Sequence, residues 1–355
     1  MNIVISSAGR DWRGTDVVTW TLLTGFRRRG HDVLVFCRPG SVLQQRLADA
    51  GIPHAPILGG LDLSPAVLLR CVLALRRFRA DVVLTLKDKD LRLTAVAARM
   101  IGIPVIVCHG TDRPLKHEAR YRFFFGRVAT DHIAVSEAVR HTLRASARWL
   151  QRNISVIYNG IDIAEIDGAP PLDLGLPAGA VAVGFVGHFE TRKGIMDFAQ
   201  AWQRAAPQSS NGHALIVGQG RREPEFRLAL EGAPRVHWLG FRSDVPSVMK
   251  SLDIFVLPSQ FEGFGLVLVE AMAAGAACIA YNSSNMPEII RDGVEGLLVP
   301  GGDVRALADA IVRLCSDAAL RQRLGDAARA AALQRFSAER MVADYELEIA
   351  RVIGG

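Results

Sequence analysis

The stretch Phe255-Val-Leu-Pro-Ser-Gln-Phe-Glu-Gly-Phe-Gly-Leu-Val-Leu-Val-Glu270 leads from an apolar strand through a short loop into a helix. Gly263 and Gly265 let the loop backbone approach a ligand closely, and the free N–H groups of the following helix N-terminus attract an anion. Glu262 and Glu270 lie on either side of this anion site, and their carboxylates suit neutral hydroxyl groups. The stretch therefore predicts a site for a diphosphate flanked by a sugar and a ribose. The alternative is a plain strand-to-helix turn with two solvated glutamates.

Length and composition are those of a globular protein with two domains of ordinary size. The chain has 355 residues, of which 50% are hydrophobic and 22% are charged. No apolar run reaches the roughly 18 residues that span a bilayer, and residues 1–7 lack the basic and long apolar regions of a signal peptide. The five cysteines contain no Cys-x-x-Cys pair and the nine histidines no His-x-x-x-His pair, so no metal site is expected. We expect a cytoplasmic protein.

Charge is divided unevenly between the two halves of the chain. Residues 1–168 hold 24 Lys and Arg against 15 Asp and Glu, a net charge of +9. Residues 169–355 hold 18 against 21, a net charge of −3. The basic half predicts an anionic partner. Nucleic acid is not expected, because no helix-turn-helix, zinc module or ribonucleoprotein motif is present.

Two segments combine arginines with aromatic residues, namely Phe26-Arg-Arg-Arg29 and Arg120-Tyr-Arg-Phe-Phe-Phe-Gly-Arg127. An aromatic and basic face can lie in a membrane interface, with its apolar side chains buried and its arginines on anionic lipid. These segments therefore suggest peripheral contact with the cytoplasmic face of the inner membrane. The alternative is a pair of ordinary helices whose phenylalanines enter the core.

Short apolar, β-branched runs alternate with helical patterns along the whole chain, as in parallel sheets that helices cover on both faces. The pattern occurs twice and predicts an α/β protein with two doubly wound, Rossmann-like domains that face each other across a cleft. The predicted strands are Ile3–Ser6, Val33–Cys37, Val82–Thr85, Val105–Cys108, His132–Val135, Ser155–Ile157, Val181–Val186, Ala214–Val217, Val236–Leu239, Ile254–Leu257, Cys278–Ala280 and Gly296–Val299.

The domain boundary is predicted within residues 168–179, the part of the chain that is densest in Pro and Gly. This gives a first domain of residues 1–168 and a second of residues 169–337. Residues 338–355 have the apolar spacing of a helix, and we expect that helix to pack back on the first domain.

Arg192 and Lys193 are a further indication of an anionic ligand. They end the loop Val186-Gly-His-Phe-Glu-Thr-Arg-Lys-Gly194, which follows the first strand of the second predicted domain and opens a helix. Cations at a helix N-terminus oppose the helix dipole, so they do not stabilise the helix. A diphosphate would explain them, because fixed positive charge stabilises such a leaving group without a metal. The alternative is an exposed pair of cations on a loop.

Other candidate residues lie after strands of the first predicted domain. Gly14, in the segment Asp11–Asp16 that opens the first long helix, lets the backbone approach the cleft. His109 ends a strand and suits a sugar hydroxyl, or else is a satisfied histidine of the fold. The turn Lys87–Asp90 suits an acidic acceptor, or else is solvated. No Gly-x-Gly-x-x-Gly follows the first strand, which argues against a dinucleotide dehydrogenase.

Taken together, these segments resemble the retaining, GT-B-fold glycosyltransferases known as family 4. The resemblance implies transfer of a hexose-type sugar from a UDP-, GDP- or ADP-sugar, with retained anomeric configuration and without a cofactor or an essential metal. It implies a donor-binding second domain, an acceptor-binding first domain, and an acceptor such as an anionic glycolipid, a lipopolysaccharide or another cell-envelope glycan. The segments that carry it are Val156–Asp162, Gly187–Gly194, Leu239–Phe241, Glu262–Glu270, Met286–Ile290 and Gly296–Pro300.

The resemblance also implies roles for single residues of the second domain. Glu270 would hold the ribose hydroxyls, and Glu262 would hold hydroxyls of the donor sugar. The family commonly has arginine after the glycine of the Gly187 loop, where this chain has His188, and we expect Arg192 to supply the missing charge. The remaining donor-binding positions that it implies are Gly187, Lys193, Gly240, Phe241, Gly263, Phe264, Gly265 and Leu266.

In the first domain, the resemblance places His109 beside the donor sugar and Gly14 by the β-phosphate. It assigns catalysis to His109, Glu262, Arg192 and Lys193, with the two cations stabilising the departing diphosphate. The acceptor hydroxyl would attack from the face that the diphosphate leaves and would pass its proton to a phosphate oxygen. A nucleotide-sugar 2-epimerase of the same fold and a non-catalytic nucleotide-sugar binder are the alternatives.

Overall fold

Two compact units make up the chain. The computed structural model describes residues 1–59, 64–87, 90–150 and 152–354. Unit 1 consists of Met1–Gly160 and Ala338–Gly355, and unit 2 consists of Ile161–Ser337. Two residues of the predicted Lys87–Asp90 turn, Asp88 and Lys89, lie outside the described residues.

Unit 1 is built on a seven-stranded sheet in the order β3-β2-β1-β4-β5-β6-β7, in which neighbouring strands are parallel. Its central strands β4 and β5 are buried along their whole length, because they are apolar up to their last residues, Thr85 and His109. The strands are β1 (Asn2–Ser7), β2 (Asp32–Cys37), β3 (His54–Ala55), β4 (Val82–Thr85), β5 (Val105–His109), β6 (Asp131–Ala134) and β7 (Ile154–Val156). The helices are α1 (Gly14–Arg28), α2 (Val42–Asp49), α3 (Pro65–Phe78), α4 (Thr94–Met100), α5 (Ala119–Phe123), α6 (Glu137–Ser146) and, after unit 2, α15 (Ala338–Gly354), with a π-helical turn over Phe124–Val128.

Unit 2 is built on a six-stranded parallel sheet in the order β10-β9-β8-β11-β12-β13. Its strands are β8 (Val181–Val186), β9 (Gly212–Val217), β10 (Val236–Gly240), β11 (Ile254–Leu257), β12 (Ala277–Asn282) and β13 (Gly296–Pro300). Its helices are α7 (Ile163–Gly168), α8 (Ile195–Ala205), α9 (Glu223–Ala229), α10 (Val245–Lys250), α11 (Leu266–Ala274), α12 (Met286–Ile289), α13 (Val304–Ser316) and α14 (Ala318–Arg335).

The two doubly wound α/β units confirm the predicted fold class. Every predicted strand is present, with ends that shift by two residues or fewer. The sequence analysis missed β3, because its two residues form no apolar run. β3 nevertheless joins the sheet through the parallel pairs Val35–His54 and Phe36–Ala55.

The change from one unit to the other does not coincide with the predicted boundary after residue 168. It falls between Gly160 and Ile161, so α7 belongs to unit 2. The physical reason is that α7 packs against α10 and α11, and that Asp167 at its end pairs with Arg329 at 2.7 Å. The Pro- and Gly-rich stretch therefore marks the end of α7.

α15 follows unit 2 in sequence but packs within unit 1. It lies against α1, where Gly25 leaves room for Val342; a Cβ atom at Gly25 would be 2.3 Å from that side chain. Tyr345 is fully buried, and Glu348 accepts a hydrogen bond from Ser155 Oγ at 2.7 Å. The helix is thus an integral part of the unit 1 core.

Three loops meet at one edge of the unit 2 sheet. β8 and β12 both pair with β11, and all three strands are parallel, so their carboxyl ends lie side by side. The loops that follow these strands are residues 187–194, 258–265 and 283–285. They carry most of the site residues that the sequence predicts for the second domain.

The close approach of the first two loops can be tested at Gly194, whose φ is 70° and where a Cβ atom would lie 1.9 Å from the Pro258 carbonyl oxygen. Gly232 is the matched control, because its φ is 71° but no atom lies within 4 Å of such a Cβ. We expect Gly232→Ala to lower the free energy of unfolding by about 1 kcal/mol, the ordinary penalty of the left-handed conformation. Gly194→Ala should lower it by about 3 kcal/mol, because the loops must separate. Urea denaturation measures both, and equal losses would contradict the close approach.

Candidate active site

The loop 258–265 joins β11 to α11 and carries the first of the paired glutamates. Gly265 precedes the helix with a left-handed φ of 85°, and among the described residues no side chain caps the helix. The amides of Leu268 and Val269 both donate to the Gly265 carbonyl. The amides of Leu266 and Val267 come before these hydrogen-bonded amides in the chain, at the positive end of the helix dipole. They are in the position from which a helix N-terminus binds an anion.

Glu262 lies in this loop and is buried, with 7% of its surface exposed. Its carboxylate forms a short ion pair with Lys193 Nζ and lies 3.8 Å from Arg192 Nη1. A buried carboxylate needs such partners, because an unpaired charge would pay the full cost of leaving water. The predicted site residues Glu262, Arg192 and Lys193 are therefore brought together in unit 2.

The loop 187–194 joins β8 to α8 and supplies both cations. Arg192 Nε donates to Glu190 Oε2 at 2.8 Å, and His188 Nε2 lies 3.6 Å from Glu190 Oε1. Glu190 thus contacts both Arg192 and the histidine that replaces the expected arginine. The sequence analysis missed Glu190 because it considered only the cations of the loop. An incoming diphosphate would compete with this carboxylate for Arg192.

Three glycines bring the carboxyl ends of β8, β9 and β10 close together. A Cβ atom at Gly218 would lie 1.9 Å from the Gly187 carbonyl oxygen, and the Gly218 amide donates to the Gly240 carbonyl at 2.8 Å. Gly187 and Gly240, both predicted at the donor site, are therefore joined through Gly218. The Phe241 ring that follows is 66% exposed, so its face is accessible to a ligand.

Glu270 lies on the second turn of α11 and is partly exposed. Loss of water around its carboxyl, and then the charge of Glu165, raise its pKa to about 7. The carboxyl is therefore partly protonated at neutral pH. A ligand hydroxyl that donates a hydrogen bond to it would favour the ionised form.

His109 ends β5 in unit 1 and is buried. Its Nε2 lies 3.0 Å from His132 Nδ1, and His132 Nε2 lies 3.0 Å from the Phe125 carbonyl oxygen. Because a carbonyl only accepts, His132 donates from Nε2, so His109 donates from its own Nε2 and keeps Nδ1 as an acceptor. Burial, and then His132, hold the pKa of His109 well below its usual value, and burial lowers the pKa of His132 to about 4. His109 is therefore a neutral histidine that can accept a hydrogen bond from a hydroxyl.

Gly14 is the first residue of α1, and the buried Asp16 fixes the start of this helix. Asp16 accepts hydrogen bonds from the Arg13 amide at 3.2 Å and from Ser7 Oγ at 3.1 Å. It also pairs with Lys87 Nζ at 3.1 Å. Lys87 is thus held inside unit 1 by an ion pair, which neither interpretation of the predicted Lys87–Asp90 turn had foreseen.

Sequence comparisons identify the family. The protein-family model "Glycosyl transferases group 1" matches residues 180–317. A second family model, "Glycosyltransferase Family 4", matches residues 12–165. A 2-deoxystreptamine N-acetyl-D-glucosaminyltransferase of Streptomyces fradiae is 30% identical, over 90% of this chain and 84% of its own. A phosphatidyl-myo-inositol mannosyltransferase of Mycobacterium leprae is 32% identical, over 87% of this chain and 85% of its own. The chain belongs to glycosyltransferase family 4.

Solved structures show that this glycosyltransferase has the GT-B fold. HepE of Anabaena, in complex with UDP and glucose, superposes with a TM-score of 0.82 at 23% identity, covering 99% of both chains. A sucrose-phosphate synthase of Thermosynechococcus elongatus superposes with a TM-score of 0.78 at 20% identity, again covering 99% of both chains. At sequence identities this low, the structural similarity shows a shared fold and nothing more specific.

Three consecutive side chains after β12 hold the loop 258–265 of the glycosyltransferase in place. Each donates one hydrogen bond to a backbone carbonyl of that loop. Ser284 adopts a left-handed φ of 50°, which a residue with a side chain takes up only where its surroundings hold it. The sequence analysis missed these residues, because a contact between separate loops leaves no local signature. The bonds run from Ser283 Oγ to the Ser259 carbonyl (2.9 Å), from Ser284 Oγ to the Glu262 carbonyl (2.8 Å) and from Asn285 Nδ2 to the Phe264 carbonyl (2.7 Å).

Replacing Ser284 tests whether these bonds position the site. Ser284→Ala removes the bond to the Glu262 carbonyl, and we expect kcat/KM for the donor to fall roughly tenfold. Ser284→Gly should be the more stable variant, since glycine accepts the left-handed φ, yet equally slow. Ser316→Ala, which removes a bond from an exposed hydroxyl to the Val312 carbonyl, is the control and should leave the rate unchanged. Full activity in Ser284→Gly would show that the bond does not position the site.

The raised pKa of Glu270 determines how the stability of the fold changes with pH. The folded-state pKa is about 7 against an ordinary 4.5, so between these values the folded protein binds a proton that the unfolded chain has released. The fold therefore loses stability as pH rises through this window. Relative to Glu270→Gln, the wild type should lose at most about 3 kcal/mol of unfolding free energy between about pH 5 and pH 7. Urea denaturation at several pH values measures this loss, and Glu231→Gln, at an exposed position, is the control. A difference in unfolding free energy between the wild type and Glu270→Gln that does not change with pH would contradict the raised pKa.

Proposed function

We propose that this glycosyltransferase moves a hexose-type sugar from a nucleoside diphosphate sugar, such as a UDP-, GDP- or ADP-sugar, to a hydroxyl group of an acceptor. The observation that carries the proposal is the cluster of Arg192, Lys193 and Glu262 on the edge of the unit 2 sheet where α11 begins. Fixed cations and helix amides suit a diphosphate, and carboxylates suit the hydroxyls beside it. The likeness to HepE, whose structure contains UDP and glucose, supports this class of donor.

In the proposed reaction, the acceptor hydroxyl oxygen bonds to the anomeric carbon as the bond from that carbon to the diphosphate breaks. Arg192 and Lys193 neutralise the charge that grows on the departing diphosphate, without an essential metal. A diphosphate oxygen takes the hydroxyl proton. Glu262 accepts hydrogen bonds from sugar hydroxyls, and Glu270 accepts them from the ribose. His109 Nδ1 in unit 1 is a further acceptor suited to a hydroxyl. Attack from the face that the diphosphate leaves gives a product with retained anomeric configuration.

A nucleotide-sugar 2-epimerase of GT-B fold is the second candidate. Such an enzyme needs a carboxylate that moves protons beside the sugar. Glu262 is instead bound by Lys193 and Arg192, an arrangement that orients a carboxylate for hydroxyl binding. Release of nucleoside diphosphate only in the presence of an acceptor would favour transfer, whereas formation of an epimer without acceptor would favour the epimerase.

For the acceptor, we propose an anionic glycolipid, a lipopolysaccharide or another cell-envelope glycan, reached from the cytoplasmic face of the inner membrane. The net charge of +9 in residues 1–168 supports an anionic acceptor. The names of two relatives support a lipid-linked one: the phosphatidyl-myo-inositol mannosyltransferase, and an Escherichia coli galactosyltransferase acting on GlcNAc-diphosphoundecaprenol, 26% identical over 69% of each chain. Among the helices of the described residues, none has the length and apolarity to cross a bilayer.

The donor can be identified by thermal denaturation in the presence of UDP-, GDP- and ADP-sugars. A donor that binds the folded protein raises Tm, by an amount that grows with its concentration over Kd. One nucleotide class is expected to raise Tm well above the other two. No shift with any of them would contradict the proposed donor site.

Lys193→Ala tests the proposed stabilisation of the leaving group. We expect kcat to fall by about 100-fold, because a cation that acts on the developing charge is lost. Tm should fall much less, because Arg192 remains beside Glu262. Arg305→Ala, which removes an exposed cation at the start of α13, is the control and should leave kcat unchanged. A folded Lys193→Ala variant with an unchanged rate would refute the role.

A further inference from the structure

Glu190 places a negative charge inside the loop 187–194, which is the loop proposed to bind a diphosphate. Its side chain is partly exposed and contacts Arg192. A carboxylate repels a diphosphate, so its presence weakens donor binding unless a cation other than Arg192 and Lys193 balances its charge. The contacts of Glu190 indicate which side chain can become that cation.

One carboxylate oxygen of Glu190 holds Arg192. Arg192 Nε donates to Glu190 Oε2 at 2.8 Å, whereas Arg192 Nη1 lies 3.8 Å from Glu262 Oε2. The bond to Glu190 is the shorter of these two contacts, and hydrogen bonds between charged partners are the strong ones. A diphosphate that binds Arg192 must therefore compete with Glu190 more than with Glu262.

The other carboxylate oxygen of Glu190 faces His188. The Glu190 amide donates to the His188 carbonyl at 2.8 Å, and this tight turn keeps the two residues together. His188 Nε2 lies 3.6 Å from Glu190 Oε1. This distance is too long for a hydrogen bond but suits an ion pair, so the contact becomes attractive when the ring carries a proton. Histidine is the side chain that ordinarily gains a proton close to neutral pH.

The net charge of the loop and its ion-pair partners depends on the His188 ring. With a neutral ring, the two cations of the loop are matched by the two carboxylates that pair with them. With a protonated ring, one positive charge remains for a ligand. The two cations are Arg192 and Lys193, and the two carboxylates are Glu190 and Glu262.

Two charged groups on neighbouring elements also bear on this balance. Arg222, which follows β9, donates to Thr191 Oγ1 of the loop, but its charge is paired with Glu225. Glu270 lies on α11, and burial raises its pKa to about 7, so it also titrates near neutral pH. A test of the histidine must therefore separate His188 from Glu270.

We infer that donor binding moves Glu190 from Arg192 to a protonated His188. In the structure Glu190 holds Arg192. In the donor complex Arg192 contacts the diphosphate, and the ring of His188, with a proton taken from solvent, balances the carboxylate. Glu190 and His188 are thus positioning residues that act on the donor through Arg192. The inference rests on the proposed function, because it concerns the same donor site.

Isothermal titration calorimetry of the full chain tests the inference, with UDP-glucose, GDP-mannose and ADP-glucose as probes at about pH 6 and about pH 8. Each variant is compared with the wild type at the same pH, so the titration of Glu270 contributes equally to both. His188→Gln cannot take up the proton and should bind the probe roughly tenfold more weakly at the lower pH, but equally at the higher pH. His188→Arg keeps its charge and should bind roughly tenfold more tightly than the wild type at the higher pH.

Glu190→Gln separates the exchange of partners from simple support of Arg192. Glutamine keeps an oxygen that accepts from Arg192 Nε but carries no charge. The variant should bind the probe severalfold more tightly than the wild type at the higher pH, whereas loss of a mere support would weaken binding. In buffers of different ionisation enthalpy, the wild type at about pH 7 should take up more protons on binding than either His188 variant.

His141→Gln is the matched control, because His141 is exposed on α6 of unit 1. It should bind the probe as the wild type does at both pH values, and circular dichroism with Tm checks that all variants are folded. The inference is wrong if His188→Gln and the wild type bind equally at the lower pH. It is also wrong if Glu190→Gln binds more weakly than the wild type at the higher pH. Binding of none of the three probes would contradict the proposed donor site itself, and this inference with it.

Discussion

A buried carboxylate held between two cations joins the site loops of unit 2. Lys193 and Arg192 belong to the loop after β8, and Glu262 belongs to the loop after β11, so their pairing connects two neighbouring strand ends. Glu262 carries one negative charge and Glu190, which pairs with Arg192, carries a second, so the two carboxylates together balance both cations before a ligand arrives. Binding of a diphosphate would then exchange one set of anions for another. Such an exchange favours a ligand that carries more than one negative charge over a monoanion, because two cations must be satisfied at once.

The other contacts around the site reduce its freedom to move. The side chains of Ser283, Ser284 and Asn285 supply hydrogen bonds to carbonyls of the loop 258–265, so this loop keeps its shape without a regular backbone ladder. In unit 1, the His132 ring fixes which nitrogen of His109 carries a proton. Groups that are oriented in advance need no reorganisation when charge develops, which is the main electrostatic advantage of an enzyme over water.

The sequence predicted what depends on local pattern. Apolar runs predicted the strands, and the loop with Gly263 and Gly265 predicted the strand-to-helix turn. The resemblance of several segments to family 4 predicted the family. It did not predict contacts between distant positions, such as His109 with His132 or Ser284 with the Glu262 carbonyl, because neither partner has a distinctive neighbourhood. The unit boundary was misplaced for a similar reason: packing of α7 on α10 and α11 outweighs a local excess of Pro and Gly.

Because α15 is an integral part of unit 1 but follows all of unit 2 along the chain, the order of synthesis matters. A ribosome releases residues 161–337 before it releases α15, so unit 2 has every residue it needs while unit 1 still lacks a buried helix. Until then the α1 surface around Gly25 and the β6–β7 edge of the unit 1 sheet stay uncovered. Nascent chains that are released early would therefore carry a finished second unit and an open first one, and such chains are natural substrates for chaperones and proteases.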